Sequence, residues 1–519
     1  MQRRLEIEIK GKNVIVVGLA RSGVGAANLL SELGADVTIT DIKTEGELKD
    51  FIPRLNPSVR LALGAHPEDI FLSSDMLIVS PGVPLDMPPI SKAREKGIPV
   101  IGELELAYQI ATYGSDNPSI PPIIPPPPPL EKGGWGDLKK GCGRGFLAVT
   151  GTNGKSTTTA LLDFTMKKGG FRTILGGNIG NALTEEILKA VTSYKLQVTS
   201  NKNSEINMQH ATRNLQLDFI VAEVSSFQLE SIKNFRPKVA AIVNITPDHL
   251  DRYHSLKEYI GAKARIFENQ KEGDFLVLNW DDPATMEVAS EKLEVRSEIP
   301  EIFYFSRKEK VNGVYYKDGT VYCNIPQFSI LSSHFPLIRG DEIRIKGVHN
   351  LENAMAASAM ALLAGCQIEA LEDSLREFPG LEHRLEFVRE LNGIKYFNDS
   401  KGTNVGAVIK SLESFQNPII LIAGGRDKAG DFSLLRQLVR ERVKAIVLIG
   451  EASEKIKEAL GNLTETVRAK DLREAVNISR SMAVKGDVVM LSPACASFDM
   501  FINFEDRGNQ FKEIVLSLV

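Results

Sequence analysis

Cysteine is scarce and scattered: four residues, Cys142, Cys323, Cys366 and Cys495, in a chain of 519, with no CxxC spacing. That pattern excludes a zinc cluster and a disulfide framework and fits a reducing cytoplasm. An excess of charge is missing too. The 62 Lys and Arg stand against 66 Asp and Glu, a formal net charge of -4, which gives no one-signed field for nucleic acid or an anionic membrane. No apolar run is long enough to cross a bilayer, and the charged, alternating start Met1 to Lys10 lacks the apolar region of a secretory signal. The expectation is a cytoplasmic monomer with no nucleic-acid partner and no membrane insertion.

What is present is regular alternation. Strand-like apolar runs at Val14 to Val17, Val37 to Thr40, Met76 to Val79, Phe146 to Val149, Phe219 to Ala222, Val239 to Val243, Ile419 to Ala423, Ala445 to Ile449 and Val488 to Leu491 are separated by amphipathic stretches. Turn residues bound most of these runs, the pattern of doubly wound parallel sheets, so the fold class is α/β. A chain of 519 residues exceeds what one core serves, and about three domains are expected. Near 113–145 the proline run Pro125 to Pro129 precedes a glycine-rich segment and reads as a solvated insertion or linker. Near 195–217 the polar stretch Thr199 to Arg213 reads as a second surface insertion.

The segment Thr150-Gly151-Thr152-Asn153-Gly154-Lys155-Ser156-Thr157 follows one such run and opens a helix through Ala160 and Leu161. A glycine turn between strand and helix aims backbone N–H groups and the helix dipole at one point, where an anion is favoured. Lys155 adds a positive charge, and the Ser156 or Thr157 hydroxyl can reach Mg2+. A tight turn with a solvated lysine is the plain alternative.

Ligands of open α/β sheets bind at the carboxyl ends of strands. Glu223 ends the run Phe219 to Ala222 and can hold Mg2+, while Asp248 and His249 lie in the loop after Val239 to Val243. Taken singly these are a capping carboxylate and a loop histidine, but they share an edge with Lys155. Ser255 and Glu258 form a capping-box pattern for the next helix, whose apolar stripe Leu256, Tyr259, Ile266 and Phe267 includes Lys263. A buried ammonium there is costly and repels a bound cation, so Lys263 either snorkels to the helix edge or serves a function.

Together these segments resemble the Mur ligase family, and the likeness covers nearly the whole chain apart from the two insertions. Gly151 to Thr157 resembles the family's ATP loop, Glu223-Val-Ser-Ser-Phe-Gln-Leu-Glu its metal-binding strand end, and Thr246-Pro-Asp-His249-Leu-Asp-Arg-Tyr its histidine loop. The resemblance implies ATP and two Mg2+ ions, with Ser156, Glu223, His249 and a carbamylated Lys263 at the metal. It implies Lys155, His249, Lys263 and Arg384 as catalytic residues. Contacts to ATP would come from Gly151, Thr152, Asn153, Gly154, Lys155, Ser156 and Thr157. Further ATP contacts would come from Asn353 of Gly347-Val-His-Asn-Leu-Glu-Asn353, Arg384 of Gly380-Leu-Glu-His-Arg384, and Asp399 and Lys401.

Farther on, Gly424-Gly-Arg-Asp-Lys428 and the loop Ser492-Pro-Ala-Cys-Ala-Ser497 follow strand-like runs, where hydroxyls and a cation can converge on a small zwitterion. The final loop most resembles the branch of the family that adds D-glutamate. This implies D-glutamate at Thr403, Lys428, Ser497 and Phe504, with UDP-N-acetylmuramoyl-L-alanine as the other substrate. The Asp-Asn-Pro-Arg motif of the diaminopimelate- or lysine-adding branch is absent. Cys495 reads as packing, because no histidine lies nearby in sequence to activate it.

Near the start, Gly18-Leu-Ala20-Arg-Ser22-Gly23 follows a strand-like run and Asp41 ends the next. Alone this reads as a dinucleotide fingerprint and supports an NAD-dependent dehydrogenase, although Ala20 stands where a glycine usually lets a pyrophosphate approach. The resemblance implies instead the UDP of the precursor, held by Ser22, Asp41, Gly82 and Asn178. A dehydrogenase leaves Lys155, Glu223 and His249 without a task; a nucleotide switch leaves the amino-acid pocket unexplained. The expected organisation is three domains, each on a mostly parallel sheet flanked by helices. They are a Rossmann-like domain for the UDP precursor over 1–100, a P-loop-type ATPase domain over 101–379 and a Rossmann-like amino-acid domain over 380–519.

Overall fold

The computed structural model describes residues 8–113, 123–124, 144–200, 217–246, 248, 252–253, 255–294, 296–326, 334–427 and 430–519. It is α/β, built on three mostly parallel sheets flanked by helices. The first sheet runs Arg60–Leu63, Asp36–Asp41, Asn13–Val17, Met76–Val79, Val100–Gly102, all parallel. Its order reverses direction between Asn13–Val17 and Met76–Val79, so the loops after these two strands, starting at Gly18 and Ser80, flank the crevice where such sheets bind ligands.

The second sheet has nine strands, and its centre decides the chemistry. Gly145–Thr150 lies between Val239–Ile242 and Phe219–Glu223, parallel to both, and Thr173–Gly177 follows as the edge. The lysine loop, Glu223 and the loop at Asn244 therefore leave the same edge of the sheet. Its other end is antiparallel, where Gly313–Lys317, Thr320–Asn324 and Phe335–Arg339 fold as successive hairpins. The third sheet runs Glu386–Leu391, Ile394–Asn398, Val488–Leu491, Ile419–Gly424, Val443–Ile449, Glu465–Arg468, antiparallel only in its first pair.

The chain forms two compact units. One comprises Met1–Glu342 with Glu352–Arg376; the other comprises Ile343–Leu351 with Glu377–Val519. Within the first unit one apolar core is continuous from the first sheet into the second, through helices Arg21–Glu32, Glu103–Tyr113 and Leu183–Ser200. Gly25 permits that packing, since a Cβ there would meet Thr184 Oγ1 at 2.7 Å. Two buried carboxylates pin the same region. Glu105 accepts backbone N–H groups from Lys233, Asn234 and Phe235, and Glu103 accepts from the Thr184 backbone and hydroxyl. In the second unit the two faces of the third sheet carry separate apolar cores.

Two expectations need adjustment. Within 113–145, Ile123 and Ile124 are buried in the core, and Ile124 N–H donates to the Ala111 carbonyl at 2.9 Å. The stretch is thus not wholly solvated, because two β-branched residues recover apolar burial; Pro125 to Pro129 lie outside the described residues. Helix Leu183–Ser200 extends into the start of the second polar stretch, most of which also lies outside them. Among the described residues no helix is long and apolar enough to cross a membrane.

Candidate active site

The Gly151–Gly154 turn owes its shape to two glycines with φ of 152° and 81°. Gly154 caps helix Lys155–Lys168 without a side chain, leaving the first-turn N–H groups directed outward. A Cβ on Gly154 would stand 2.2 Å from Asn353 Oδ1, which also accepts from Thr158 Oγ1 at 3.3 Å. Asn353 is therefore buried against the helix start, next to the loop with which the family resemblance groups it.

The loop after Val239–Ile242 braces the turn from the other side. Asn153 N–H donates to Asn244 Oδ1 at 2.8 Å, and Asn244 Nδ2 returns a bond to the Asn153 carbonyl at 3.0 Å. Thr152 Oγ1 donates to the Thr246 carbonyl, accepts the Thr246 N–H, and lies 3.2 Å from the Tyr259 hydroxyl. Sequence reasoning gave Asn244 no role; its position directly after a buried strand was the available signal.

Lys155 Nζ folds back over its own loop, donating to the Gly151 and Thr152 carbonyls at 2.9 Å each. Lys263 does not snorkel. It is 2% exposed, lies 4.6 Å above the Tyr259 ring and donates to the Gly151 carbonyl at 2.8 Å. Burial pushes its ammonium well below the ordinary lysine range; Lys155 adds to the shift, and Asp248 and Glu223 oppose it. Ser255 accepts from Glu258 N–H and caps the helix carrying Lys263, which supplies the Ser255 half of the expected capping box.

Glu223 ends its strand 1% exposed. Oε1 accepts from Asn178 Nδ2 at 2.7 Å, whereas Oε2 is buried with no hydrogen-bond partner among the described residues. An orphaned carboxylate oxygen beside a hydroxyl-bearing helix start, with Ser156 and Thr157 both buried there, fits a divalent cation. Among the described residues, which leave out His249, no group of three or more His, Cys, Asp or Glu is arranged to hold a metal.

In the first sheet Gly18 has φ 96°, and a Cβ on Gly23 would stand 2.0 Å from the Gly18 carbonyl oxygen, so strand and helix approach as a diphosphate loop requires. Ala20 is exposed at the N-cap of helix Arg21–Glu32, and Ser22 is half-buried in its first turn. Asp41 is occupied with backbone, accepting Leu19 N–H at 2.7 Å and Lys43 N–H at 2.9 Å. Gly82 is exposed with open space around it, and Asn178 is exposed on the loop after Thr173–Gly177.

In the second unit, three loops meet around the ends of adjacent strands. His383 (φ 61°) and Leu385 (φ 45°) hold a left-handed turn with Arg384 at its centre. The His383 carbonyl accepts Lys401 N–H, and Leu385 N–H donates to Asp399. Asp399 is buried and accepts the Ser411 and Ser492 hydroxyls at 2.6 Å each. Burial raises its pKa to about 6 against these bonds and the charge of Arg384. Lys401 lies 5.5 Å over the Phe504 ring, Thr403 is half-buried, and Ser497 is 2% exposed. Lys428 lies outside the described residues. Cys495 is buried and its thiol is pushed up to about 12, in keeping with packing.

Arg507 was not anticipated. Fully buried, it donates to Ser400 Oγ at 3.0 Å and the Ser400 carbonyl at 2.9 Å, and to the carbonyls of Cys495 and Ala496. One guanidinium thus ties the Asn398–Thr403 loop to the Ser492–Ser497 loop. Its only sequence signal is an arginine on the apolar face of helix Phe504–Ser517.

Comparison with known proteins finds likeness along most of the chain. Models of the Mur ligase MurD-like N-terminal domain, the Mur ligase middle domain and the Mur ligase glutamate ligase domain match residues 12–102, 149–361 and 383–495. The chain is 43% identical over 521 residues to the UDP-N-acetylmuramoylalanine--D-glutamate ligase of Geotalea daltonii, covering 99% of each. It is 42% identical over 514 residues to the enzyme of the same name from Pelotomaculum thermopropionicum, covering 98% of each. Among solved structures, UDP-N-acetylmuramate-alanine ligase MurC from Thermotoga maritima aligns with a TM-score of 0.54 at 17% identity, covering 98% of this chain and 99% of that one. MurF from Acinetobacter baumannii aligns with 0.55 at 16% identity, covering 96% and 93%. Full-length likeness of sequence and fold, joined to the phosphate turn and the carboxylate beside it, makes this chain a member of the Mur ligase family.

Proposed function

We propose that the protein joins D-glutamate to UDP-N-acetylmuramoyl-L-alanine at the expense of ATP, in the cytoplasmic synthesis of peptidoglycan precursors. The observation that carries this reading is the convergence of Lys155 and Lys263 on the Gly151 carbonyl beside the orphaned Glu223 oxygen, in a chain 43% identical throughout to a ligase of that name. Residues 1–100, 101–379 and 380–519 would divide the work among precursor, ATP and amino acid.

In the first step the alanyl carboxylate oxygen attacks the γ-phosphorus of ATP. A C–O–P bond forms, the bridging bond to the β-phosphate breaks, and ADP leaves from an acyl phosphate. Lys155 and the outward N–H groups of helix Lys155–Lys168 would stabilise negative charge on the transferred phosphoryl group, assisted by Arg384. Asn353, Asp399 and Lys401 are assigned to the nucleotide side. Mg2+, held by Ser156, Glu223, His249 and Lys263, would supply charge neutralisation for the phosphates when bound. Carbamylation of Lys263 is favoured by its burial, because a neutral amine is the form that attacks CO2; an N–C bond forms, the nitrogen gives up a proton, and the amine becomes an anionic oxygen ligand that a divalent cation would offset.

In the second step the amine of D-glutamate, having lost a proton, attacks the acyl carbon, and phosphate leaves from the tetrahedral intermediate. Thr403, Lys428, Ser497 and Phe504 would hold the amino acid and orient its nitrogen. Ser22, Asp41, Gly82 and Asn178 are assigned to the UDP precursor, with Asp41 acting by fixing the Leu19 and Lys43 backbone.

The test is phosphate release with ATP, Mg2+, UDP-N-acetylmuramoyl-L-alanine and D-glutamate, with absorbance at the NADH band followed in parallel. Release that requires both co-substrates supports ligation. Release indifferent to D-glutamate would point to a nucleotide switch, and a change at the NADH band to a dehydrogenase.

A further inference from the structure

Between the first glycine loop and the proposed cation site runs a short chain of contacts that the ligation chemistry does not itself demand. Asn178 grips Glu223 at two points: its Nδ2 donates to Oε1 at 2.7 Å, and its backbone N–H donates to the Glu223 carbonyl at 2.9 Å. The loop backbone passes so close that a Cβ on Gly177 (φ 105°) would stand 2.4 Å from that carbonyl oxygen. With Oε1 engaged, the carboxylate plane is fixed and Oε2 is the oxygen left buried and unpartnered among the described residues. On the far side of the same loop, Arg21 donates to the Gly180 carbonyl at 2.5 Å and to the Asn178 carbonyl at 3.5 Å. Arg21 is the first residue of helix Arg21–Glu32, directly after the Gly18–Ala20 turn.

We propose that Asn178 is a positioning residue that presents Glu223 to a divalent cation, and that Arg21 couples this cation to occupancy of the Gly18–Gly23 loop by a diphosphate. The inference rests on the reading of Glu223 as a cation ligand and adds the device that sets it. A side-chain amide donating to one carboxylate oxygen leaves the other as the ligating atom and restricts its rotation, which is how outer partners of metal ligands act. A diphosphate at the helix start would pair with the Arg21 guanidinium and hold it in place against the Gly180 and Asn178 carbonyls it already meets, which steadies the loop bearing Asn178. Occupancy of one site therefore biases the geometry of the other, and the linkage is reciprocal.

The experiment measures Mn2+ affinity of the ADP-loaded full chain by loss of the free-ion EPR signal, with and without UDP-N-acetylmuramoyl-L-alanine. Wild type, Glu223→Gln, Asn178→Ala and Arg21→Ala are compared. Asn178→Ala should weaken Mn2+ by about tenfold without the precursor, while ADP affinity and the thermal midpoint are retained. Its half-saturating Mg2+ in the ligation assay, read at saturating precursor, should rise similarly, whereas a general packing defect would lower the rate and leave that constant unchanged. The precursor should tighten Mn2+ about fivefold in wild type, and Arg21→Ala should abolish that tightening. Wild-type affinity in Asn178→Ala, alongside lost affinity in Glu223→Gln, overturns the positioning role and leaves the cation site standing. Unchanged affinity in Glu223→Gln overturns both. Should the alanine variant prove poorly folded, Asn178→Ser carries the same comparison, and tightening that persists in Arg21→Ala overturns the coupling independently.

Discussion

Lys155 and Lys263 share one acceptor: each donates to the Gly151 carbonyl, at 2.9 and 2.8 Å. Burial, with the charge of Lys155 beside it, disfavours the charged form of Lys263, so the pair does not set two full ammonium charges against each other.

Replacing Lys155 with alanine removes the cation that folds over the phosphate turn. Phosphoryl transfer should fall by about 100-fold or more, the scale for losing a single preorganised charge donor. Calorimetric binding of the UDP precursor should persist. Turnover within a fewfold of wild type would remove Lys155 from the reaction.

For Lys263→Ala the expected loss is of similar size, with partial recovery on adding short-chain carboxylic acids that place a carboxylate in the vacated space. Wild-type enzyme stripped of CO2 should lose activity and regain it with bicarbonate. A fully active alanine variant would take this residue out of the site.

Asp399 gives the fold a pH signature. Its folded pKa of about 6 lies above the ordinary 3.8, so the native state binds the proton more tightly than the unfolded chain. The stabilising contribution is complete below pH 3.8 and is lost as pH rises through about 6. Thermal midpoints of wild type should therefore fall relative to Asp399→Asn across that window, by the equivalent of at most about 3 kcal/mol at 1.36 kcal/mol per pH unit. A difference that stays flat with pH contradicts the shift.

Arg507→Met should destabilise the protein by about 3 kcal/mol, because the carbonyls of Ser400 and Cys495 would be left buried with lost donors. It should also raise KM for D-glutamate more than it lowers kcat, since both loops it ties carry residues assigned to the amino acid. Denaturant midpoints and steady-state kinetics check the two halves separately.

The strands read from the sequence are interior ones with both faces covered, such as Ile419–Gly424, buried at every position, and such segments read as unbroken apolar runs; Phe275–Asn279, Glu301–Ser306, Gly313–Lys317, Thr320–Asn324 and Ile394–Asn398, also interior, were not read. Edge elements were not read either. Thr173–Gly177 is half-buried and ends in two glycines, while Glu386–Leu391 carries Glu386, Arg389 and Glu390 on an edge strand. The phosphate turn announced itself, since glycine, lysine and hydroxyl residues are contiguous there. The grip of Asn178 on Glu223 spans 45 residues and that of Arg507 on Ser400 spans 107, and no local periodicity encodes a pairing made only by the folded sheet order.

Helix Val348–Leu363 is assigned partly to each compact unit, Val348 to Leu351 with one and Glu352 onward with the other. Covalently, this means that no single scission of the polypeptide frees either unit whole. A fragment ending at Glu342 forfeits Asn353 and with it the wedge against Gly154, while one ending at Arg376 carries away the first nine residues of its neighbour, Ile343–Leu351. Recombination at this junction should therefore succeed only when both segments travel together, which ties the inheritance of one unit to that of the other.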